Sequence, residues 1–352
     1  MNLCFVNSTR KWGGVKTWTL DAASGLSARG HRVVLIGRPG PFIDTARARG
    51  LPARGCSFGP DFNPLLISRF LGMFRRDATD LVVVNVGKDM RSAGVAAKLL
   101  GIPVVHRVGL AGDMLDTWKV RVLHRWIRPA ILVPCAQIKH ALPLELPYLR
   151  PDEITVIPTG KVPTPTPPTE IHRPLRCIST SQLNADKGHE DVLRALAELA
   201  GQGVNLLYHV VGTGRIEDRL RALVLELGLE NRVVWHGFQS DVRALLRQAD
   251  IFLLPSRREG LPNALLEAMA EGLVCVARNV GGVAEVWPRS LPLLSPEAGA
   301  GDIARVLREL NTLDDTTLVA RKRLFWEQAT ANSLDIMIHR LERFFLNITE
   351  RP

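Results

Sequence analysis

Residues 251–273 read Ile251-Phe-Leu-Leu-Pro255-Ser-Arg-Arg-Glu259-Gly-Leu-Pro262-Asn-Ala-Leu-Leu-Glu267-Ala-Met-Ala-Glu-Gly272-Leu. The opening apolar run is short and unbroken, which predicts a parallel strand buried on both faces. A polar turn with Arg257, Arg258, Glu259 and Gly260 follows. Pro262 suits the first position of a helix, because its φ is already helical and its missing N–H would have no partner there. Ala264 to Ala270 are strong helix formers, and Gly272 supplies the stop. The stretch is strand–turn–helix, with two carboxylates, Glu259 and Glu267, eight residues apart. Free N–H groups at the helix start make an anion site suited to phosphate. On these residues alone, an ordinary βα connection with two solvated glutamates fits as well, since charged side chains are mostly exposed.

The same alternation runs along the chain. Apolar runs at 2–6, 32–36, 81–84, 104–106, 131–133 and 154–157 predict a first sheet, with helical patterns between them, one of them over 93–100. Runs at 175–179, 206–211, 233–238 and 251–255 predict a second. Strands alternating with helices give an α/β fold with parallel sheets. Residues 158–169, Pro158-Thr-Gly-Lys-Val-Pro-Thr-Pro-Thr-Pro-Pro-Thr, read as a linker stiffened by four prolines between 163 and 168. Two domains are expected, residues 1–162 and 163–333, with an amphipathic helix in the tail 334–352. At 352 residues the chain is long enough for both.

Hydrophobic residues make up 46% of the chain and charged residues 23%, which fits a soluble globular protein. No apolar run approaches the ~18–20 residues of a membrane span. Met1-Asn-Leu-Cys-Phe-Val lacks the basic start of a signal peptide. The five cysteines, Cys4, Cys56, Cys135, Cys177 and Cys275, are scattered and mostly in apolar runs. They predict reduced, buried thiols in a cytoplasmic protein, without metal-box spacing. Charge is uneven. Residues 1–162 carry 23 Lys and Arg against 11 Asp and Glu, so the whole net excess of +10 sits in the first domain. That predicts an anionic partner, such as lipid headgroups or a charged glycolipid. Nucleic acid ranks last, because neither a helix-turn-helix nor an aromatic RNA-binding pattern is present. Two stretches bear on a membrane contact. Phe58, Phe62, Leu65, Leu66, Phe70, Leu71 and Phe74, beside Arg69, Arg75 and Arg76, have the spacing of a helix that packs on a sheet or lies on an interface. Trp118–Ile127, with Lys119, Arg121, Arg125 and Arg128, is a second basic amphipathic candidate.

Glycine turns point to a ligand. Gly13-Gly14, after the first strand, lets the backbone pass close to a ligand at the carboxyl end of that strand, the ligand edge of open α/β sheets. Gly212-Thr-Gly214-Arg-Ile-Glu lacks the third glycine of a dinucleotide fingerprint, which disfavours an NAD-dependent enzyme.

Glu259-Gly-Leu-Pro-Asn-Ala-Leu-Leu-Glu267-Ala-Met-Ala-Glu-Gly resembles the Glu-x7-Glu motif of the retaining GT-B glycosyltransferases of family 4. Gly13-Gly14 followed by Leu26-x-x-Arg-Gly-His31-x-Val33 is similar to that family's N-terminal pattern. Lys187-Gly188, Gly212-x-Gly214, Gly237-Phe238 and Gly281-Gly-x-x-Glu285 match further turns, and the likeness covers about residues 2–347. It implies GT-B architecture: two Rossmann-like domains facing each other across a cleft, the first on the acceptor side and the second holding a nucleotide sugar. The final helix would cross back to the first domain. The implied reaction moves a sugar from a nucleotide-diphosphate-sugar donor to a glycan or glycolipid acceptor, with retention and with no metal or other cofactor. By the same resemblance Glu259, His106 and Lys187 are the catalytic residues. Gly13, Gly14, Gln182, Lys187, Gly212, Gly214, Phe238, Glu259, Gly260, Leu261, Pro262, Asn263 and Glu267 would hold the donor, Glu259 on its sugar hydroxyls and Glu267 on the ribose. The implied location is cytoplasmic, peripheral on the inner face of the membrane. Two positions depart from the pattern. Gln182 stands where the family has an arginine, and an amide donates a hydrogen bond but no charge. Thr159 replaces the hinge asparagine, and no aspartate follows. These departures keep open a non-catalytic binder of nucleotide sugar or glycolipid with the same fold.

Overall fold

The computed structural model describes residues 1–350 apart from Lys11, Ala111 and Leu115, so the last two residues of the tail lie outside the described residues. The chain divides into two compact units, Met1–Thr159 with Leu334–Pro352, and Gly160–Ser333. In this division the second unit begins at Gly160. Gly160 packs directly on the backbone of Asn332 and Ser333, and Lys161 forms a bridge with Ser333, at the far end of the second unit.

The first unit is a seven-stranded parallel sheet: β1 (Asn2–Asn7), β2 (Arg32–Gly37), β3 (Ala53–Gly55), β4 (Leu81–Val84), β5 (Val104–Arg107), β6 (Ala130–Val133) and β7 (Ile154–Val156). The order is β3-β2-β1-β4-β5-β6-β7. Along β1, Leu3 and Phe5 enter one core while Cys4 and Val6 enter another. Both faces are therefore buried, which is why these strands read as unbroken apolar runs. The helices Gly14–Ala28, Pro41–Ala48 and Leu334–Thr349 cover one face. Phe345 meets Phe5 edge-on with ring centroids 6.3 Å apart, and Arg29 binds Asp335 at 2.7 Å. The helix Pro64–Arg76 covers the other face through Leu66, Phe70 and Phe74. The first of the two amphipathic stretches is thus a sheet-packing helix, with Leu65 left outside. The helix expected over 93–100 begins earlier, at Gly87, and passes through a π-helical stretch, Met90–Gly94. Asp89 sets that start, because its carboxylate accepts from the N–H groups of Asn85 and Val86.

The second unit is a five-stranded parallel sheet: β8 (Leu175–Thr180), β9 (Leu206–Val211), β10 (Val233–Gly237), β11 (Ile251–Leu254) and β12 (Val274–Ala277). Its order is β10-β9-β8-β11-β12. Chain order reverses between β1 and β4 in the first unit and between β8 and β11 in the second. Open α/β sheets bind ligands at such switch points, beyond the carboxyl ends of their strands. The helix after β11 is Asn263–Ala270, and Pro262 stands one position before it, as its N-cap with φ −73 and ψ 114. The φ is helical but the ψ is extended, so Pro262 ends the loop and the helix opens at Asn263. Gly272, at φ +71, ends it.

Candidate functional site

Four of the five loops at the carboxyl edge of the second sheet carry residues expected to bind a donor. Crossing the sheet, these are Phe238 just past β10, Gly212 and Gly214 after β9, Gln182 and Lys187 after β8, and Glu259 to Asn263 after β11. Lys187 and Glu259 belong to the two strands of the switch point, and Nζ and Oε1 lie 2.7 Å apart. The Arg257 N–H donates to the Asp186 carbonyl at 2.8 Å and joins the two loops. Gly212 and Gly214 pack against the Ser181 and Leu183 carbonyls. Leu261 and Pro262 are buried, so their contribution to a ligand is backbone and shape. Phe238 is exposed. Gln182 is exposed too, and its side-chain oxygen accepts from Asn184.

Two glycines let these loops touch. Gly188 has φ +71, and any Cβ there would overlap the Pro255 carbonyl. Gly281 has φ +59 and lies against the carbonyls of Glu259 and Gly260, while the Gly282 N–H donates to the Gly260 carbonyl at 2.7 Å. An L side chain at such φ is strained even where space exists.

Several supporting residues carry no motif. Arg278 is fully buried, donates to the Pro255 and Ala298 carbonyls and pairs with Asp191. Asp191 also binds Arg257 at 3.0 Å. One buried guanidinium thus fastens the start of the Glu259 loop to the helix His189–Gly201. His189 hydrogen-bonds Ser181 at 2.8 Å and Tyr208 at 2.9 Å, and Tyr208 donates to Ser179 at 2.9 Å. That chain anchors the Lys187 loop from below. Glu267, on the helix after β11, pairs with Lys161 at 3.0 Å. An Arg closing the apolar run Val274–Ala277 was the one available sign of Arg278, and His189, set between Gly188 and Glu190, left none.

In the first unit Gly13 is the N-cap of the helix Gly14–Ala28, with an extended backbone and open space where a Cβ would point. His106 lies on β5, with β4 between it and β1, so His106 and the Gly13-Gly14 turn, which lies between β1 and the first helix, belong to strands that are not neighbours. The His106 ring is 2% exposed, and its centroid is 5.4 Å from that of His124. Its Nδ1 is buried without a hydrogen-bond partner among the described residues. Asp89 accepts from the Ser8 N–H at 2.9 Å as well as from Asn85 and Val86. It ties the loops after β1 and β4 together at the switch point.

Burial sets the charge states. It pushes His106 down to about 3, helped by His124, and takes His124 and His189 to about 4. All three are neutral imidazoles near pH 7. The unfolded chain takes up these protons near 6.5, whereas the folded chain resists them until far lower pH. Their contribution to stability is therefore complete above about pH 6.5 and falls as the pH drops toward 4. Asp89, pushed up to about 6 by burial, works in the opposite direction between about 4 and 6. Three groups outweigh one, so the melting temperature at pH 5 is expected to lie several degrees below that at pH 7.5. Equal melting temperatures at the two pH values would contradict the neutral, buried imidazoles. Among the described residues no group of three or more His, Cys, Asp and Glu is placed to hold a metal ion.

Comparison with known proteins matches each unit separately. The family model Glycosyltransferase Family 4 matches residues 12–161, and the model Glycosyl transferases group 1 matches residues 168–309. A putative colanic acid biosynthesis glycosyltransferase, WcaL of Salmonella typhimurium, is 38% identical over 154 residues, 41% of this chain and 38% of that protein. The 2-deoxystreptamine glucosyltransferase of Streptomyces kanamyceticus is 28% identical over 68% of this chain and 70% of its own. The chain spans about two fifths of the length of WcaL and of the amylovoran relative AmsK of Erwinia amylovora. Among solved structures, a glycosyltransferase from Rickettsia africae has a TM-score of 0.83 at 18% identity, over 100% of this chain and 99% of that one. Anabaena HepE in complex with UDP-glucose has a TM-score of 0.82 at 18% identity, over 99% and 100%. These likenesses give the fold, GT-B, with its two parallel-sheet α/β domains. With the family 4 model matched on the first sheet and the group 1 model on the second, over most of the chain between them, the chain belongs to the glycosyltransferases of group 1 and family 4.

Proposed function

We propose that this chain moves a sugar from a nucleotide-diphosphate-sugar donor to a glycan or glycolipid acceptor, with retention of configuration and without a metal ion. The observation that carries the reading is the Lys187–Glu259 pair, 2.7 Å apart at the switch point of the second sheet. A cation and a hydroxyl-gripping carboxylate stand side by side next to the N–H groups of a helix start. Departure of a nucleoside diphosphate develops negative charge, and preorganised donors aimed at that charge are usually the largest catalytic term. Lys187 and the N–H groups of Gly260, Leu261 and Asn263 supply them. Glu259 accepts from hydroxyls of the donor sugar, and Glu267 from the ribose. By the family resemblance the catalytic roles fall to Lys187, Glu259 and His106, and donor contacts to Gly13, Gly14, Gln182, Gly212, Gly214, Phe238 and Pro262. His106 acts as a neutral imidazole. The acceptor attacks from the side of the departing diphosphate, with no covalent Glu259 adduct.

A ligand bound only by the folded chain raises its melting temperature. Nucleoside diphosphates and nucleotide sugars are therefore expected to stabilise the protein, and a flat response across uridine, guanosine and adenosine forms would refute the reading. Lys187→Ala should weaken a nucleoside diphosphate by ~10–100-fold, the worth of one charge-assisted hydrogen bond, and leave the free nucleoside nearly unchanged. Equal losses for both would remove Lys187 from the diphosphate. Labelled nucleotide sugar released or transferred in the presence of chelator distinguishes an enzyme from a non-catalytic binder.

The acceptor side of the proposal places the protein in the cytoplasm, against an anionic membrane. WcaL is named for colanic acid biosynthesis and an Escherichia coli relative for galactosyl transfer to a diphosphoundecaprenol acceptor, and among the described residues no helix is long and apolar enough to cross a membrane. The helix Trp118–Ile127 buries Leu123, His124 and Ile127 and turns Trp118, Val122 and Trp126 outward, 70%, 58% and 44% exposed. These three recur every fourth residue on one stripe, edged by Lys119, Arg121, Arg125 and Arg128. Apolar and indole groups flanked by cations suit the headgroup region of an anionic bilayer. Flotation with anionic liposomes is expected at low salt and should fall with added salt and with the double change Trp118→Ala, Trp126→Ala. Flotation indifferent to both would exclude this face.

A further inference from the structure

Glu267 is held in place by a lysine that no motif singled out. Lys161 is 8% exposed, and its backbone is fixed by the close packing of Gly160 on Asn332 and Ser333 and by its own bridge to Ser333. From that anchor its side chain runs to the helix Asn263–Ala270 and brings Nζ to 3.0 Å from Glu267 Oε1.

We propose that Lys161 is a specificity-determining residue of the donor site, orienting the Glu267 carboxylate to read the ribose of the donor nucleotide. The inference rests on the donor-binding reading above. A carboxylate offers about four lone-pair sites. Lys161 occupies one on Oε1, which fixes the carboxylate plane and leaves Oε2 to face a vicinal diol. Charge gives a second reason. The donor brings a diphosphate toward two glutamates that would repel it. Each glutamate is already matched by a lysine, Glu259 by Lys187 and Glu267 by Lys161. A lysine serving only as a strut between residue 161 and the helix would be indifferent to the sugar of the nucleotide.

Calorimetry on the full chain decides between the two. Uridine, guanosine and adenosine diphosphates are titrated first, and the tightest is compared with its 2′,3′-dideoxy form. The intact protein is expected to prefer the ribose form by ~10–100-fold, as for one or two hydrogen bonds to a charged acceptor. Lys161→Met should weaken the ribose form by about tenfold and shrink that preference to under ~3-fold, since the orienting charged hydrogen bond is lost. Lys161→Arg should keep most of both, because a guanidinium also donates to a carboxylate. If Lys161→Met does not fold, Lys161→Gln is read in the same way. Full affinity and full ribose preference in the variant would overturn the inference and leave the donor-binding reading standing. If none of the three diphosphates binds the unaltered protein, both fall.

Discussion

Replacing Glu259 by glutamine is expected to lower sugar transfer by ~10²–10³-fold, the loss typical of removing one preorganised polar group from a transition state, while the fold is kept. Glutamine keeps the size of the side chain and loses its charge. Glu259 lies at the carboxyl edge of the sheet and is held by Lys187, with side chains 13% and 20% exposed. The pair is mostly buried, so exchanging its charged acceptor for a neutral one is expected to cost about 1–3 kcal/mol, a drop of several degrees in melting temperature with the fold retained. The sign of the binding change is the diagnostic part. Without the carboxylate, Lys187 loses its partner and is released toward the diphosphate. The affinity for a nucleoside diphosphate should therefore hold or improve while turnover collapses. That pattern assigns Glu259 to the sugar and Lys187 to the phosphate. The assay is run with chelator throughout, so that turnover by the unaltered protein also tests metal independence. Normal turnover by Glu259→Gln would sink the catalytic role, and a parallel loss of diphosphate affinity would place Glu259 in nucleotide binding.

The sequence made the two sheets legible because nearly every strand is buried on both faces and reads as an apolar run. It hid β3, whose three residues Ala53–Gly55 are held at the sheet edge by pairing with Leu35 to Gly37. It also hid β12, because Val274–Ala277 follows so closely on the helix ending at Ala270 that its apolar run merges with the helical pattern. The candidate donor loops were legible from Glu-x7-Glu and from glycine spacing, since a tight turn or a repeated carboxylate leaves a mark in one segment of chain. The supports could not. Arg278, Asp191, His189 and Lys161 act through partners 87, 87, 19 and 106 residues away in the chain, namely Asp191, Arg278, Tyr208 and Glu267. Such long-range pairs obey no local period. Pro262 is a mixed case: its position next to a helix was readable, but whether it caps or opens that helix depends on the ψ that the loop imposes.

Gly281→Ala is expected to cost the protein both donor binding and stability. At φ +59 an alanine pays the left-handed penalty of ~1–2 kcal/mol, and its Cβ overlaps the carbonyls of Glu259 and Gly260. Both of those atoms are backbone, so no rotamer change relieves the contact. The loop after β11 must move, and with it the Gly282 N–H to Gly260 carbonyl bond of 2.7 Å. Each kcal/mol lost lowers the melting temperature by about 2–4 °C for a unit of this size. The larger effect falls on function, because the displaced segment carries Glu259 itself. Catalytic groups displaced by as little as ~1 Å can cost a hundredfold in rate. Gly201→Ala is the control: it sits at the end of a helix with open space where its Cβ would be, and alanine is the better helix former. It should leave both stability and transfer intact. If Gly281→Ala behaves like Gly201→Ala, the packing of the turn after β12 on the Glu259 loop is not what positions the carboxylate. If it loses transfer in proportion to its loss of donor affinity, the turn acts through binding. A further fall in turnover at saturating donor would mean that the same contact also holds Glu259 in register with the reacting sugar.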